Sequence, residues 1–497
     1  MMESMETEHS DINLMQDVKN KALKSIKWSV FAELVPKVII PVTTLIFVRV
    51  LLPADFGLMT IATIFVGLAG AFQDFGLAKA LIREKDDIKN SANVVFWSNI
   101  SLGAVMYLLI FFLAPLIASF FHEPRLVSVL RVLCVEIILS ALISVQYAIL
   151  QRDFHFRKIF LSGLGFVLMP VVVTLPLAIL HFGVWALVLG SVSGYCFQVV
   201  VLWFVSDWRP RFRFDIPVAK KLFKFGVWFT AEALTLWILS YGDSAAVGHY
   251  LGVNDVGVYY IGMTITMLIF GTIFNPLLGV SYSSFSKLQY NLDHLRHSFL
   301  RVNQLSALIC IPMGVGLILI VSPLYSIFFQ NKWQGVQAVI ALLAAMQMIA
   351  WLVGTNSTLY RTIGRPDINF KIGVVSLFFY LPAYIFFAQL GLFMFCVGRL
   401  LVAIITDGIH IFVIHKTLKI SPLYLFDCIK IPVIAVIPMA LLVYGLIYVS
   451  GSFLGILGIT KLLAIIILGA GVYAGALYFI SKESFKQSFS LFLKVLR

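Results

Sequence analysis

Long apolar segments recur from one end of the chain to the other, separated by short polar segments. A helix needs about 20 apolar residues to cross the hydrocarbon core of a bilayer, whereas membrane β-strands alternate apolar and polar residues. The continuous runs therefore predict about fourteen transmembrane helices, at residues 28–52, 56–78, 92–118, 126–150, 159–180, 183–206, 222–248, 255–280, 299–328, 334–357, 369–389, 391–415, 428–450 and 458–480.

Lysines and arginines alternate from loop to loop. Most of the 37 lie in every second loop and near the two ends of the chain. Cytoplasmic loops of membrane proteins carry such an excess, so both termini are predicted to be cytoplasmic. The net charge of +13 then reflects topology, and no nucleic-acid partner is predicted. With 60% hydrophobic and 12% charged residues, the composition excludes an ordinary soluble globular protein.

The two halves of the chain repeat. Six predicted helices separate equivalent positions, so the halves share one orientation and a cavity is expected between them. The fold class predicted is an all-α polytopic membrane protein, with two six-helix lobes related by a parallel pseudo-two-fold repeat plus two C-terminal helices. The matching positions are Trp28, Leu51, Asp55 and Gly57 with Trp228, Leu251, Asp255 and Gly257, and Gly183 and Gly190 with Gly391 and Gly398.

This repeat predicts five regions. They are a cytoplasmic N-terminal segment at 1–24, an N-lobe at 25–207, a cytoplasmic linker at 208–221, a C-lobe at 222–416, and helices 13 and 14 with a cytoplasmic tail at 417–497.

The first predicted span carries a cation near its middle, because Lys37 lies roughly 15 Å from Lys27 along a helix. A charge at that depth costs at least about 2.5 kcal/mol, so it should face protein or a water-filled cavity. Glu33 lies on the same helical face, in the favourable order for an ion pair. Pro36 and Pro41 each remove a backbone donor and predict a broken helix, as at midplane binding sites. A kinked helix with a structural Glu33–Lys37 pair is the alternative.

Few other ionisable residues lie deep in the spans. They are Glu136, Glu232 and Arg399, with Asp243, Asp407 and His410 nearer the ends. Such residues are functional candidates by default, and pairing between helices for packing is the alternative. The repeat aligns Glu33 and Lys37 with Ala233 and Trp237, so the cavity is predicted to be asymmetric, with its cation on the N-lobe wall. Glu33, Glu136 and Glu232 are the candidates for ion coupling.

Four arginines end or follow predicted helices at the cytoplasmic face, namely Arg152, Arg157, Arg361 and Arg365. They are candidates for attracting an anionic head group at the entrance. Anchoring of the topology and contact with anionic lipid are the commoner roles of such residues. Asp55 and Asp255 precede helices, where capping is the expected role.

The sequence carries no enzyme motif. It lacks GxxxxGK[ST], HExxH and GxSxG, and no loop is long enough to form a soluble domain. No cofactor and no metal site are predicted. The five cysteines form no CxxC pair; those at positions 134, 196, 310 and 396 are predicted to be small buried hydrophobic residues.

Several motifs occur in the order that a known family shows, between about residues 25 and 480. The chain resembles the polysaccharide transporter family of the multidrug/oligosaccharidyl-lipid/polysaccharide exporter superfamily. The motifs are Pro53-Ala54-Asp55-Phe56-Gly57, Leu150-Gln151-Arg152-Asp153-Phe154 with Phe156-Arg157, Ile311-Pro312-Met313-Gly314, Trp333, and Arg361 with Gly364-Arg365-Pro366.

The resemblance implies a non-enzymatic flippase in a bacterial inner membrane. Its substrate is expected to be an undecaprenyl-diphosphate-linked oligosaccharide for O-antigen, capsule or exopolysaccharide synthesis, moved by alternating access. Lys37 matches the position of a cation that holds the diphosphate, and Arg399 is added because of its depth. The C-lobe cation that some relatives carry on helix 7 or 8 is absent. Membrane lipids, a glycan polymerase and other polysaccharide assembly proteins are the expected partners.

Two other functions fit the composition. One is a cation-coupled multidrug exporter of the same superfamily. The other is a membrane glycan polymerase or ligase, although such enzymes need a larger external loop than this chain offers. The sequence identifies neither the glycan, nor the driving ion, nor the oligomeric state.

Overall fold

The structure is a computed structural model that describes residues 35–37, 39–84, 87–329, 331–451, 453 and 455–482. No β-strand occurs within these ranges. Their helices, some with internal breaks, are α1 (39–50), α2 (Pro53–Ile82), α3 (Ile88–Phe120), α4 (Leu126–Arg152), α5 (Phe156–Ile179), α6 (Val184–Val205), α7 (Ile216–Leu251), α8 (Val253–Leu288), α9 (Leu292–Phe328), α10 (Val336–Thr362), α11 (Pro366–Ala388), α12 (Leu392–Leu418), α13 (Tyr424–Ser450) and α14 (Gly455–Ile480).

Twelve of these helices are long and apolar enough to cross a membrane, counted over the described residues. They match twelve of the predicted spans, with bounds that agree to within eight residues, and confirm the all-helical membrane fold. The predicted span 222–248 lies inside α7, and the first span is only partly described. The exact number of fourteen therefore stays a prediction.

Several helices are interrupted inside the membrane. α2 breaks at Phe75 and Gly76, whose φ angles are 44° and 67°. α5 contains a π-helical turn from Pro170 to Thr174, and α10 is interrupted by a turn at Gly354 and Thr355. Such interruptions free backbone groups that must bond elsewhere, so they are tolerated where protein or water surrounds them.

The chain divides into two compact units, Met1–Val253 and Asn254–Arg497. In the first unit, α2 packs against α3, α4, α6 and α7, and α6 packs against α4 and α5. A buried amide joins two of these helices: the side-chain nitrogen of Asn99 on α3 donates to the hydroxyl of Ser144 on α4 at 2.7 Å. α7 is fixed to α2 by the Trp237 indole, which donates to the Ile64 carbonyl at 2.8 Å.

The segment before α7 is bound to α3. The backbone amide of Arg211 donates to the Asn93 side chain at 2.8 Å, and the Trp97 indole donates to the Arg211 carbonyl at 2.9 Å. Asp215 then caps α7 by accepting from the Val218 amide. The helix begins at residue 216, inside the predicted linker 208–221, and packs within the first unit. The division into lobes at this linker stays a prediction.

In the second unit, α9 packs against α10, α13 and α14, while α12 packs against α10 and α11. α8 joins this unit through Phe274, which stacks on Trp351 of α10 with centroids 4.4 Å apart. α13 and α14, which lie outside the sequence repeat, are packed on α9, and the Tyr473 hydroxyl donates to the Leu308 carbonyl at 2.8 Å.

Matching glycines perform matching tasks in the two units. Gly183 and Gly391 precede α6 and α12 with φ angles of 56° and 100°, a region that favours glycine. Gly190 and Gly398 follow seven residues later. A Cβ added to Gly190 would lie 1.8 Å from Thr174 Oγ1, and a Cβ added to Gly398 would lie 2.2 Å from the Phe387 ring. Both glycines allow close packing on the preceding helix.

Two residue-level predictions have different outcomes. Asp55 caps α2 as expected, since its carboxylate accepts from the Leu52 amide at 2.9 Å. The cysteines at 134, 310 and 396 are buried, but Cys196 is exposed on α6. The prediction for Cys196 was wrong because an apolar sequence does not show which helix face turns away from the protein.

We expect Gly165→Ala to destabilise the first unit. A Cβ on Gly165 would lie 2.7 Å from the Phe197 ring and 2.8 Å from the Gly194 carbonyl oxygen. Overpacking of this kind costs about 1–3 kcal/mol, which should lower the thermal unfolding midpoint of the detergent-purified protein.

Gly163→Ala, two residues earlier on α5, is the matched control. Nothing lies within 4 Å of its added Cβ, so the midpoint should hold or rise. Equal midpoints for the two variants would contradict the close α5–α6 packing.

Candidate functional site

The predicted cation of the first span, Lys37, lies in a helical turn at 35–37 and is half-buried. Pro41 lies in α1, which the structure describes from residue 39. The hydroxyls of Thr43 and Thr44 both donate to the Ile40 carbonyl, at 3.0 and 2.7 Å. Residue 38, between Lys37 and α1, lies outside the described residues, so the predicted break of the first span by Pro36 and Pro41 stays a prediction.

Two of the three predicted carboxylates are not described as side chains. Glu33 lies outside the described residues, so its pairing with Lys37 stays a prediction. Glu232 lies in the helical backbone of α7, but its side chain is also outside the described part.

The third carboxylate, Glu136, is buried in the N-terminal half of α4, with 6% of its surface exposed. The Ser191 hydroxyl on α6 bonds to it, and the phenol of Tyr195 on α6 lies within electrostatic range of the carboxyl group. Oε1 of the carboxyl group has no hydrogen-bond partner in the described part of the chain. The first unit thus holds a carboxyl group with incomplete hydrogen bonding between α4 and α6.

Arg399 lies in an aromatic environment in the second unit. It is 9% exposed on α12, and its guanidinium lies 5.6 Å from the ring centroid of Tyr259 on α8. Phe395 packs between this tyrosine and Tyr384 of α11, at 5.6 Å from each ring. A guanidinium over a buried ring is held by cation–π attraction, which favours the packing role for this residue.

The four arginines predicted at the cytoplasmic face divide between the two units. Arg152 ends α4 half-buried, and its Nη1 has no hydrogen-bond partner among the described residues. Arg157 is exposed at the start of α5, and Arg361 is exposed near the end of α10. Arg365 forms two parallel bonds to Asp367, at 2.9 and 3.0 Å. This pairing offsets its charge, so Arg365 is the weakest of the four as an anion site.

A buried polar cluster in the second unit was not predicted as a site. Thr355, in the turn that interrupts α10, donates to Asn303 Oδ1 on α9 at 2.5 Å. The amide nitrogen of Asn303, the hydroxyl of Ser306 and both amide atoms of Asn356 have no partner within the described ranges. Each buried group left without a bond costs about 1–3 kcal/mol, so water or an ion is expected among them.

Helix α12, which packs on α10, carries two further ionisable groups, Asp407 and His410. The Tyr360 ring stacks on His410 at 6.0 Å, and its hydroxyl donates to the His410 carbonyl at 3.3 Å. Asp407 Oδ2 and His410 Nδ1 have no hydrogen-bond partner in the described part of the chain.

A sequence signal for this cluster exists. Asp407 and His410 are three residues apart and share a helical face, and Gly354 to Asn356 interrupts an apolar run. That Thr355 in this turn meets Asn303 depends on how α9 and α10 are rotated, which the sequence does not show.

Comparison of the sequence with known protein families finds one matching profile. Residues 46–338 match the sequence profile of the family described as polysaccharide biosynthesis protein, which is more than half of the chain.

Two curated relatives and one solved structure extend the comparison. The chain is 25% identical to the lipopolysaccharide biosynthesis protein WzxC of Escherichia coli (strain K12), over 80% of this chain and 82% of WzxC. It is 23% identical to the succinoglycan biosynthesis transport protein ExoT of Rhizobium meliloti (strain 1021), over 70% of each chain. The structure of the lipid II flippase MurJ superposes with a TM-score of 0.72 and 14% identity, covering 92% of this chain and 99% of that one.

We expect Thr355→Val to destabilise the second unit. The change removes the hydroxyl that donates to Asn303 and leaves another acceptor without a partner inside the unit, at a cost of about 1–3 kcal/mol. The measurement is the thermal unfolding midpoint in detergent.

Thr355→Ser is the control, because it keeps the hydroxyl and loses one methyl group, worth about 0.8 kcal/mol. A valine variant at least as stable as the serine variant would show that the bond to Asn303 contributes nothing.

Proposed function

The chain belongs to the family of polysaccharide biosynthesis proteins, and on that premise we propose that it is a flippase for lipid-linked oligosaccharide in a bacterial inner membrane. The observation that carries this function is the family match over residues 46–338 on an all-helical membrane fold that the lipid II flippase MurJ shares. The names of WzxC and ExoT, one in lipopolysaccharide biosynthesis and one in succinoglycan transport, agree with it.

The physical task is to carry a diphosphate and sugars through hydrocarbon. An undecaprenyl tail stays in the bilayer unaided, but a charged diphosphate needs cations and polar groups along its path. An interior-negative potential favours outward movement of anions by about 2.3 kcal/mol per charge per 100 mV. A cavity that opens to one face and then to the other satisfies this requirement without catalysis, and we assign no enzymatic activity to the chain.

Lys37 is the residue that we propose for holding the diphosphate. Its half-buried position in the first span and its place in the family resemblance support this role. Arg399 is our second candidate on the strength of its depth, and its packing over Tyr259 supports a structural role as well. Arg152, Arg157 and Arg361 are proposed for the cytoplasmic entrance. Arg152 carries a buried nitrogen that has no bond within the described ranges, which suits an arriving anion.

Ion coupling is proposed at two places. Glu136 of the first unit has the burial and incomplete hydrogen bonding of a proton or cation carrier. Asp407 with His410 in the second unit forms the other candidate, beside buried amides that need water. Glu33 and Glu232 stay candidates on sequence grounds alone.

The orientation and the partners are also proposals. The alternation of cations supports cytoplasmic termini. A glycan polymerase and other assembly proteins are proposed as partners, because a flipped oligosaccharide has to be consumed on the outer face.

Lys37→Ala is expected to abolish export without loss of folded protein. Charge-assisted bonds to phosphate are worth about 1.5–3 kcal/mol, so at least about a tenfold drop is predicted. The measurement is surface polysaccharide, together with accumulated lipid-linked oligosaccharide, in cells whose own flippase gene is deleted.

Two variants control this experiment. Lys37→Arg keeps a cation and should retain export, and Arg49→Ala removes an exposed cation on the same span and should be neutral. Full export by Lys37→Ala would refute the role of Lys37. Dye efflux that persists when glycan synthesis is blocked would instead favour the multidrug exporter.

Ion coupling is tested in proteoliposomes with the membrane potential held at zero. A proton or sodium gradient should accelerate flipping by the native protein, and Glu136→Gln or Asp407→Asn should remove that acceleration. Glu123→Gln is the control, since Glu123 is tied to Arg125 in an external loop at 2.8 Å. Unchanged acceleration in both buried-carboxyl variants would eliminate these two sites.

A further inference from the structure

A cleft opens in the second unit between the cytoplasmic end of α8, the first turns of α9 and the start of α13. Its volume is about 1010 Å³, and a smaller cleft of about 490 Å³ beside it shares His297, Leu300 and Tyr424. The proposed function uses none of these residues. The cleft lies at the level where the loops carry most of the cations, so it faces the cytoplasmic membrane interface.

The charge in the cleft is positive. Arg301 lines it and is exposed, with no hydrogen bond or ion pair to the described part of the chain. Lys430 is bonded to Asp427 at 2.9 Å, so these two charges offset each other. His294 and His297 are exposed along the same wall, where their ring N–H groups can donate hydrogen bonds to a ligand. The uncompensated guanidinium of Arg301 is therefore the dominant charge.

A buried hydroxyl without a partner lies at the same place. Tyr424 lines the cleft with 6% of its surface exposed, and its hydroxyl has no hydrogen-bond partner among the described residues. Its ring is held 6.1 Å from that of Phe299, which fixes the phenol in position. Ser284 and Ser298, whose hydroxyls lie 3.4 Å apart, add two further donors to the lining.

Apolar side chains form much of the remaining wall. Leu300, Leu305 and Ile431 line the cleft and are half-buried. A free phosphate ion gains nothing from such a wall, whereas a lipid places its phosphate on the cations and its first methylene groups on the apolar side chains. Basic pockets between transmembrane helices on the cytoplasmic side bind anionic lipid head groups in this way.

We propose that this cleft binds the phosphate-ester head group of an inner-leaflet lipid. Arg301 forms the charge-assisted bond to the phosphate, the Tyr424 hydroxyl donates a second bond, and the acyl or prenyl chain leaves along Leu300 and Ile431. The start of α13 beside the cleft adds the positive end of a helix dipole. The site is independent of Lys37 and does not require the flippase function.

The test measures lipid binding by the full-length, delipidated protein in detergent, by native mass spectrometry and thermal shift. The probes are phosphatidylglycerol, undecaprenyl phosphate, zwitterionic phosphatidylcholine and inorganic phosphate. We expect both anionic lipids to bind, phosphatidylcholine to bind at least about tenfold more weakly, and added salt to weaken binding.

Three variants locate the site. Arg301→Gln should weaken binding of the anionic lipids by about tenfold or more, and Tyr424→Phe should weaken it by a smaller factor while keeping the ring packing. Lys287→Gln, an exposed cation at the end of α8 outside the lining, is the matched control and should leave binding unchanged.

The outcomes are separable. Equal binding of phosphatidylcholine, or equal effects of Arg301→Gln and Lys287→Gln, would overturn the proposal. Inorganic phosphate that competes at the affinity of the lipids would reassign the site to a soluble phosphate and overturn the lipid as ligand. If Arg301→Gln fails to fold, Tyr424→Phe decides, since unchanged binding in that variant contradicts the site. None of these results depends on flipping.

Discussion

The structure depends on one constraint: the bilayer interior supplies no water, so polar groups inside it need partners within the protein. Helices satisfy the backbone, and pairs of side chains satisfy most of the rest. In each unit an amide on one helix meets a hydroxyl on the next helix, as Asn99 of α3 meets Ser144 of α4 and Asn303 of α9 meets Thr355 of α10. These bonds fix the rotation of neighbouring helices, which apolar contact alone defines poorly.

Places where the constraint is not met are the functional candidates. The carboxyl group of Glu136, the amide of Asn356 and the Asp407 side chain keep atoms without partners in the described part of the chain. Such groups are stable if water or an ion reaches them, and the interrupted α10 beside Asn356 frees backbone groups at the same depth. A transporter needs sites of this kind, since an ion must bind and leave without unfolding its surroundings.

The same need for partners explains why the basic side chains have different surroundings. Lys37 lies half-buried in the first span, where its charge needs protein or water around it, while Arg399 is accommodated by the Tyr259 ring. Arg365 is offset by Asp367 at the surface, whereas Arg301 keeps its charge for the cleft. The location and partner of a cation, more than its presence, decide whether it binds substrate, lipid or the fold itself.

The sequence alone determined the twelve spans confirmed here, the fold class and the matching glycines at 183 and 391, because apolar length and backbone conformation are local properties. Motif order also identified the family. Tertiary structure alone decided that Thr355 bonds to Asn303, that Tyr259 lies under Arg399, that Cys196 is exposed and that Arg301 and Tyr424 share a cleft. These contacts join residues tens to more than a hundred positions apart, and they depend on the rotation and register of packed helices, which hydrophobic patterning leaves open.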